Sequence, residues 1–145
     1  MYFNAYQKMT AQEQLNKEVV LRFNYEVIEK NDAIALNEIV NHNFINHTAP
    51  PCSVQDTQGL AVFFDALHAA FSEIKVEIYD QVVEGDKVVT RKAITGVHVG
   101  TLFGIAPGNK RAAINIIDII KLTDSQYTDH WSVRDMQDVI AKSAG

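Results

Sequence analysis

The spacing of apolar residues changes abruptly near residue 74, and this change limits the chain to folds that place helices before strands. Apolar side chains recur every four residues from Leu15 to Val27, and those from Leu60 to Phe71 form one wide stripe at helical spacing. From Ile74 to Ile78 apolar and polar residues alternate, which is the period of a strand. The sequence therefore predicts helices in its first half and strands in its second half.

Polar residues at three positions predict where the helices begin. Thr10 to Glu13 has the spacing of a capping box and opens the first helix. Asp32 can cap a short second helix that runs through Val40, and Asp56 or Thr57 opens the third. Between the second and third helices, Phe44 to His47 reads as a short extended piece.

The second half of the chain predicts four strands that are joined mostly by short turns. Turns are expected at 84–87 and 123–126, and a glycine-rich loop at 100–110. Helices followed by consecutive strands indicate an α+β fold with an antiparallel sheet. We expect a curved antiparallel sheet wrapped around the three N-terminal-half helices, with a ligand pocket at its open end.

Length and charge favour one acidic domain. The 145 residues fit a single domain spanning 1–145, in which 1–9 is expected to be a disordered extension. Lys and Arg number 13 against 18 Asp and Glu, which gives a formal net charge of −5. An acidic chain without a basic cluster argues against binding to nucleic acid or to an anionic membrane surface.

Several classes of site and location are also disfavoured. Cys52 is the single cysteine, so it cannot form an internal disulfide, and nothing near it marks an activated nucleophile. No apolar run reaches the ~18 residues that a membrane helix needs, and the N-terminus lacks the pattern of a secretory signal. We therefore expect a cytoplasmic protein. Phosphate-binding and dinucleotide-binding motifs are absent, so no cofactor is expected.

Asp118 is the first candidate site residue. It shares strand parity with Ile116 and Ile120, so its carboxylate points in the same direction as apolar side chains. A carboxylate in such a position must find hydrogen bonds or take up a proton, and both outcomes suit an acid or base in a pocket. A strand-end bulge that turns it to solvent, or a purely structural ion pair, would also explain it.

Histidines supply the next candidates. His98 stands between Gly96 and Gly100, which would allow close approach of a ligand, and histidine can exchange a proton near neutral pH. A histidine bonded to a neighbour at the rim of the sheet is the alternative. His42 and His47 are five residues apart without any metal-binding motif, so no metal site is expected. His47 fits a pocket wall better.

The segment 129–135 holds the densest group of chemically active side chains. Trp131 offers a flat wall and Asp135 a carboxylate at the end of a strand, which together suit proton transfer. His130 shares parity with Arg134 and should face away from Asp135 unless a bulge intervenes. Alternatively, Trp131 belongs to the core, and Asp135 caps the last helix or pairs with Arg134.

The run 96–135 resembles the signature half of the SnoaL-like polyketide cyclases. In these proteins a G-x-H-x-G motif and a P-x-G-K/R turn precede an apolar strand with an aspartate, and a His-Trp pair is followed by Asp four residues after Trp. The matching residues are His98, Gly100, Gly104, Pro107, Gly108, Lys110, Asp118, His130, Trp131 and Asp135. The resemblance extends over roughly 17–139. It departs at Asp129, where the family usually has Glu, and at the 124–126 turn.

The resemblance implies a cone of the nuclear-transport-factor-2-like type, usually dimeric. It also implies an aspartate that acts as general acid/base in an intramolecular aldol ring closure without a cofactor. By motif position the catalytic aspartate would be Asp135, and His47, His98, Asp118 and His130 would line or support the pocket. We predict Asp135 and His98 as the catalytic residues. The substrate-binding residues would be His47, Phe64, Phe103, Asp118, His130 and Trp131.

Three hypotheses for function follow from this interpretation. The first is a cofactor-independent lyase or isomerase that acts on a small apolar carbonyl compound. The second is a binding protein that holds a small hydrophobic ligand in the same pocket without changing it. The third is a dimeric interaction domain whose sheet face is an interface.

Overall fold

The computed structural model describes residues 8–50 and 53–145. Most of the predicted extension 1–9, and Cys52, lie outside these described residues. The helical elements are α1 (Ala11–Arg22), a π-helical segment (Phe23–Glu29), α2 (Ala33–Ile39), α3 (Thr57–Ala70) and α4 (Met136–Lys142). The strands are β1 (Val40–Asn46), β2 (Phe71–Glu84), β3 (Lys87–His98), β4 (Arg111–Thr123) and β5 (Gln126–Arg134).

The five strands form one open sheet in the order β1-β5-β4-β3-β2. The strands from β2 to β5 pair antiparallel, as the turns predicted. The prediction of an antiparallel sheet was wrong in one respect, because β1 pairs with β5 in parallel. Phe44 to Asn46 of the predicted extended piece belong to β1, and His47 follows it in a turn. This strand covers the outer edge of β5, which would otherwise leave backbone groups unpaired.

The three predicted helix starts are confirmed by their hydrogen bonds. Thr10 and Glu13 form the reciprocal bonds of a capping box at α1. The Asp32 carboxylate accepts from the first turn of α2, and the Asp56 carboxylate accepts from Gly59 N–H in α3. These side chains satisfy amide groups that the helices themselves leave without partners.

The change from helix to strand occurs three residues earlier than the apolar pattern indicates. Phe71 already has extended backbone angles and begins β2. Glu73 has a φ of 55°, and the pairing with β3 shifts between Ser72 and Lys75. This bulge resets the alternation, so the regular strand period becomes visible in the sequence only from residue 74.

The helices pack on the inner face of the curved sheet and form the core with it. On β4 every second residue from Ala112 to Leu122 is buried, and the residues between them are exposed or half-buried. Phe23 of the π-helical segment stacks on Tyr127 of β5 at 4.5 Å and meets Phe64 of α3 edge-on at 5.9 Å. This aromatic group joins helices and sheet.

A bulge in β5 determines which of its side chains enter the interior. Lys121 pairs with Asp129 and Leu122 with Tyr127, so Thr128 has no opposite residue. Tyr127 is buried before the bulge, and after it the even-numbered residues His130, Ser132 and Arg134 face inward. Trp131 and Val133 therefore lie on the outer face. Strand parity in the sequence left the face of His130 undetermined, and the bulge directs its side chain inward.

Within the described ranges, the helices are all too short or too polar to cross a membrane.

Candidate functional site

A cavity of about 370 Å³ lies between the helices and the inner face of the sheet. Most of its wall is apolar, including Phe23, Phe44, Phe63, Phe64, Leu102, Phe103 and Met136. Its polar side chains are few: Asn46, Ser53, Lys92, Asp118, Tyr127, His130, Ser132 and Arg134. An apolar cavity with a few converging polar groups is the usual form of a small-molecule site.

A buried ion pair occupies the interior of this cavity. Lys92 Nζ donates to Asp118 Oδ2 at 2.8 Å and to Asn24 Oδ1 at 2.7 Å. The exposed fractions of the Lys92 and Asp118 side chains are 3% and 6%. Charges removed from water to this extent persist only when they are paired and hydrogen-bonded. Both groups come from neighbouring strands, Lys92 from β3 and Asp118 from β4.

The π-helical segment brings Asn24 to this ion pair. Asn24 Nδ2 donates to the carbonyl oxygen of Val20 one turn earlier, at 2.8 Å. This bond fixes the amide so that its oxygen points at Lys92. Wide helical turns of this kind often accompany functional sites.

One of the two carboxylate oxygens of Asp118 forms no hydrogen bond with the described residues. Its Oδ2 accepts from Lys92, whereas its Oδ1 is buried and has no hydrogen-bond partner among the described residues. An unpartnered buried oxygen is costly, and a ligand hydroxyl, enol or acidic C–H group could satisfy it. Asp118 is therefore the cavity group best placed to accept a proton.

His130 is a neutral neighbour of the ion pair. Its Nδ1 donates to Asn46 Oδ1 at 2.8 Å, which leaves Nε2 as an acceptor. Burial, with a further contribution from the positive charges of Lys92, Arg134 and His47, lowers the pKa of His130 to about 4, although Asp118 opposes the shift. His130 thus carries no charge at neutral pH. Burial and the nearby Asp118 charge also hold the pKa of Tyr127 well above its usual range.

Asp135 does not line this cavity, and its expected placement there is corrected. It follows β5 with the parity of Trp131 and Val133, which face outward. Its two oxygens accept from the backbone N–H and the side-chain amide of Asn115, at 2.7 and 2.9 Å. It borders a second, shallower pocket beside the cavity mouth. Asn115 lies on the exposed face of β4, so the carboxylate is held away from the cavity.

His98 is also placed outside the cavity, fully buried between β3 and the end of α4. Ser143 Oγ donates to Ile140 O, so His98 Nδ1 donates to Ser143 Oγ at 2.9 Å. The ring stacks on Phe71, with centroids 5.0 Å apart. Its contacts fasten the C-terminal helix to the sheet, so the expected exchange of protons with a ligand has no geometric support here.

The remaining candidates divide between the two faces of the sheet. Phe64, Phe103, Asp118 and His130 line the cavity, and their binding of a substrate stays a prediction. His47 and Trp131 do not, because they stack on each other at 4.6 Å next to the β1–β5 edge. His47 Nε2 also bonds Asp129 Oδ2 at 2.8 Å, and this bond is the main cause of the lowered pKa of Asp129.

Sequence reasoning missed Lys92, Asn24 and Arg134. Lys92 has the same strand parity as Ile94, a signal that could have placed its ammonium in the interior. Asn24 offered no such signal, since its position depends on the π-helical turn. Over residues 8–50 and 53–145, no three His, Cys, Asp or Glu side chains come close enough together to hold a metal ion.

We predict strong coupling between Lys92 and Asp118. Lys92→Met leaves a buried carboxylate without its partner and should lower the free energy of unfolding by about 3–5 kcal/mol. The double variant Lys92→Met/Asp118→Leu removes both charges and should regain most of this loss. Urea denaturation of wild type, both single variants and the double variant measures the coupling.

The control is an exposed ion pair on the same strand. Arg91→Met breaks the Arg91–Asp80 contact of 3.0 Å at the surface and should cost less than about 1 kcal/mol. If Lys92→Met were equally mild, Lys92 and Asp118 would not form a buried pair.

We also predict that the free energy of unfolding decreases in acid because of His130. Its folded pKa of about 4 lies below the ordinary value of 6.5, so the unfolded chain binds the proton more readily between these values. Stability from this group is complete above pH 6.5 and falls as pH decreases toward 4. At about 1.4 kcal/mol per pKa unit, the loss is at most about 3.5 kcal/mol.

Urea denaturation at pH 7.5, 5.5 and 4.5 tests this pH dependence against His130→Gln, which cannot titrate. The difference in unfolding free energy between wild type and variant should shrink by at least 1 kcal/mol from pH 7.5 to 4.5. A difference that is constant with pH would contradict the prediction.

Comparison with known families relates most of the chain to one family. The family model described as SnoaL-like polyketide cyclase matches residues 18–142. A comparison with curated proteins found no match.

Solved structures with the same fold cover nearly the whole chain. A protein from Jannaschia sp. CCS1 that is described as a SnoaL-like polyketide cyclase is 24% identical with a TM-score of 0.80, over 93% of this chain and 97% of that one. A polyketide cyclase from Bacillus cereus ATCC 10987 is 26% identical with a TM-score of 0.77, over 90% and 82%. TsrD from Streptomyces laurentii is 20% identical with a TM-score of 0.80, over 95% and 98%. The match of the family model over most of the chain, together with this shared α+β fold of the nuclear-transport-factor-2-like type, shows that the protein belongs to the SnoaL-like polyketide cyclase family.

Proposed function

We propose that the protein is a cofactor-independent acid/base enzyme of the cyclase type, acting on a small apolar carbonyl compound. The observation that carries the proposal is the free Oδ1 of Asp118 inside an apolar cavity. A general base must have a lone pair within reach of the proton that it removes. Asp118 takes the acid/base role that the motif position had given to Asp135.

The proposed reaction is an intramolecular aldol closure. Asp118 Oδ1 takes a proton from the carbon next to a carbonyl, and the electron pair of that C–H bond forms an enolate. The enolate carbon then bonds to a second carbonyl carbon of the same molecule, and the oxygen of that carbonyl takes the proton back from Asp118. Lys92 uses two of its three N–H groups on Asp118 and Asn24, so its third can stabilise the enolate oxygen.

The relatives support this reaction class by name. The proteins from Jannaschia and Bacillus cereus are described as polyketide cyclases, and so is IdmH from Streptomyces antibioticus, with a TM-score of 0.75. An epoxide hydrolase-like protein from M. tuberculosis shares the fold with a TM-score of 0.68 at 11% identity. Both names concern chemistry on small molecules, which agrees with the cavity of this chain.

A proton-exchange assay tests the role of Asp118 without knowledge of the natural substrate. 2-Tetralone is a bicyclic ketone, and the loss of its C1 proton signal in D₂O follows enolisation by NMR. Wild type should accelerate this exchange over buffer, and Asp118→Asn should lose about 10²- to 10⁴-fold of the protein-dependent rate. Circular dichroism confirms that the variant is folded.

Asp135→Asn is the matched control, because it changes the same functional group outside the cavity. It should exchange the ketone at the wild-type rate. Loss of exchange in Asp135→Asn with full exchange in Asp118→Asn would return the catalytic role to Asp135.

The alternative function is a binding protein with the same cavity. It is favoured if wild type binds 2-tetralone, as measured by a shift in melting temperature, but leaves its exchange at the buffer rate. Its physical basis is the apolar wall, which holds a ligand without any need for the ion pair to react.

We further propose that the protein forms a homodimer through the outer face of the sheet. An apolar row crosses four paired strands on this face: Val82, Val89, Ile119 and Trp131. Ile117 and Val133 lie beside the row, and their exposed fractions are 49% and 78%. An exposed apolar surface that continues across a sheet is typical of an interface.

Light scattering at micromolar concentration tests the dimer. Wild type should have twice the chain mass of 16.2 kDa, and the double variant Ile117→Glu/Val133→Glu should be a monomer because it buries charge at the interface. Ile34→Glu introduces the same charge at an exposed site on α2 and should stay dimeric. A monomeric wild type would contradict the proposal.

A further inference from the structure

We infer that the ligand of this cavity carries an anionic group, best matched by a carboxylate, and that Arg134 selects it. The inference rests on the proposed function only in using the same cavity. It adds a ligand class and a specificity-determining residue to that function.

Arg134 is an inward-facing guanidinium without an anionic partner. It lines the cavity and also the shallow pocket beside its mouth. Among the described residues its guanidinium has one hydrogen bond, a long one from Nη2 to the Thr48 carbonyl oxygen at 3.5 Å, and it lies 6.0 Å from the centre of the Phe63 ring. No carboxylate of the described residues lies within 4 Å of it, and residues 1–7 and 51–52 contain no Asp or Glu.

The nearest acidic side chains do not neutralise Arg134. Asp118 is paired with Lys92, and both oxygens of Asp135 are bonded to Asn115. Asp138 borders the shallow pocket but forms no ion pair with Arg134. The guanidinium is therefore partly desolvated, which lowers its pKa, and it lacks the charge partner that such burial usually requires.

The described side chains of the cavity wall have one net positive charge at neutral pH. Lys92 and Asp118 neutralise each other, His130 is uncharged at neutral pH, and Arg134 remains. This local excess contrasts with the formal net charge of −5 for the whole chain. A guanidinium with several free N–H groups, in a site with little water, binds a carboxylate through paired hydrogen bonds.

The register of the sheet sets where the anionic group would lie. Asp118 pairs with Ser132, and Arg134 is two residues further along β5, roughly 7 Å away. Arg134 lies nearer the cavity mouth than Asp118, since Arg134 also lines the shallow pocket and Asp118 does not. We therefore expect an elongated acid whose carboxylate stays at the mouth while its ketone or hydroxyl end reaches Asp118.

Two isosteric probes test this inference: 2-naphthoate, which is an anion, and 2-naphthamide, which is neutral. Calorimetric titration of wild type should give about 10- to 100-fold tighter binding of the acid, the value of a hydrogen-bonded charge pair. Arg134→Gln should lose this preference and keep its affinity for the amide. Arg134→Lys should keep part of the preference.

Asp118→Asn separates this inference from the proposed function. It should keep or strengthen the preference for the acid, because it leaves Arg134 in place and frees the positive charge of Lys92. Equal binding of the two probes by wild type would overturn the inference but not the cyclase proposal, which the 2-tetralone assay tests independently. A preference that survives in Arg134→Gln would assign it to Lys92 and also overturn the inference. Failure of both probes to bind wild type would also overturn the inference, whereas the cyclase proposal would still depend on the 2-tetralone assay.

Discussion

The buried pair of Lys92 and Asp118 is the constraint on which the rest of the site depends. Two charges taken out of water on neighbouring strands must be aligned and fully bonded, or the fold loses several kcal/mol. The bond from Lys92 to Asn24, at 2.7 Å, ties the π-helical segment after the first helix to this pair. The pair also fixes the register of β4, because a slip of one residue would carry Asp118 to the outer face.

The β5 bulge determines which side chains of that strand enter the cavity. Without the extra residue at Thr128, the parity of Tyr127 would continue, and His130 and Arg134 would point outward. The same bulge sends Trp131 and Val133 to the outer face. One local irregularity therefore divides a short strand between polar side chains that line the cavity and the apolar outer surface that we propose as the dimer interface.

Local signals in the sequence were sufficient for the helix starts, the four-strand run and the inward direction of Asp118. Each of these depends on capping or parity over a few residues. The positions of Asp135 and His98 were not predictable in this way. The outward turn of Asp135 depends on its two bonds to Asn115, twenty residues earlier, and the burial of His98 depends on Ser143 at the far end of the chain. Parity could have identified Lys92, because it lies in phase with Ile94.

The distribution of polarity in the cavity gives the ligand an orientation. An apolar wall alone holds a molecule in many poses, whereas the ion pair at the interior and the guanidinium near the mouth accept different functional groups. Ring closure needs two carbons of one flexible molecule to be held together, and fixing both ends of that molecule reduces the conformations that compete with the reactive one. In the proposed reaction, the free oxygen of Asp118 then meets the carbon acid in a single geometry. A carboxylate bound at the mouth and a proton moved in the interior are, in that reaction, two parts of one positioning mechanism.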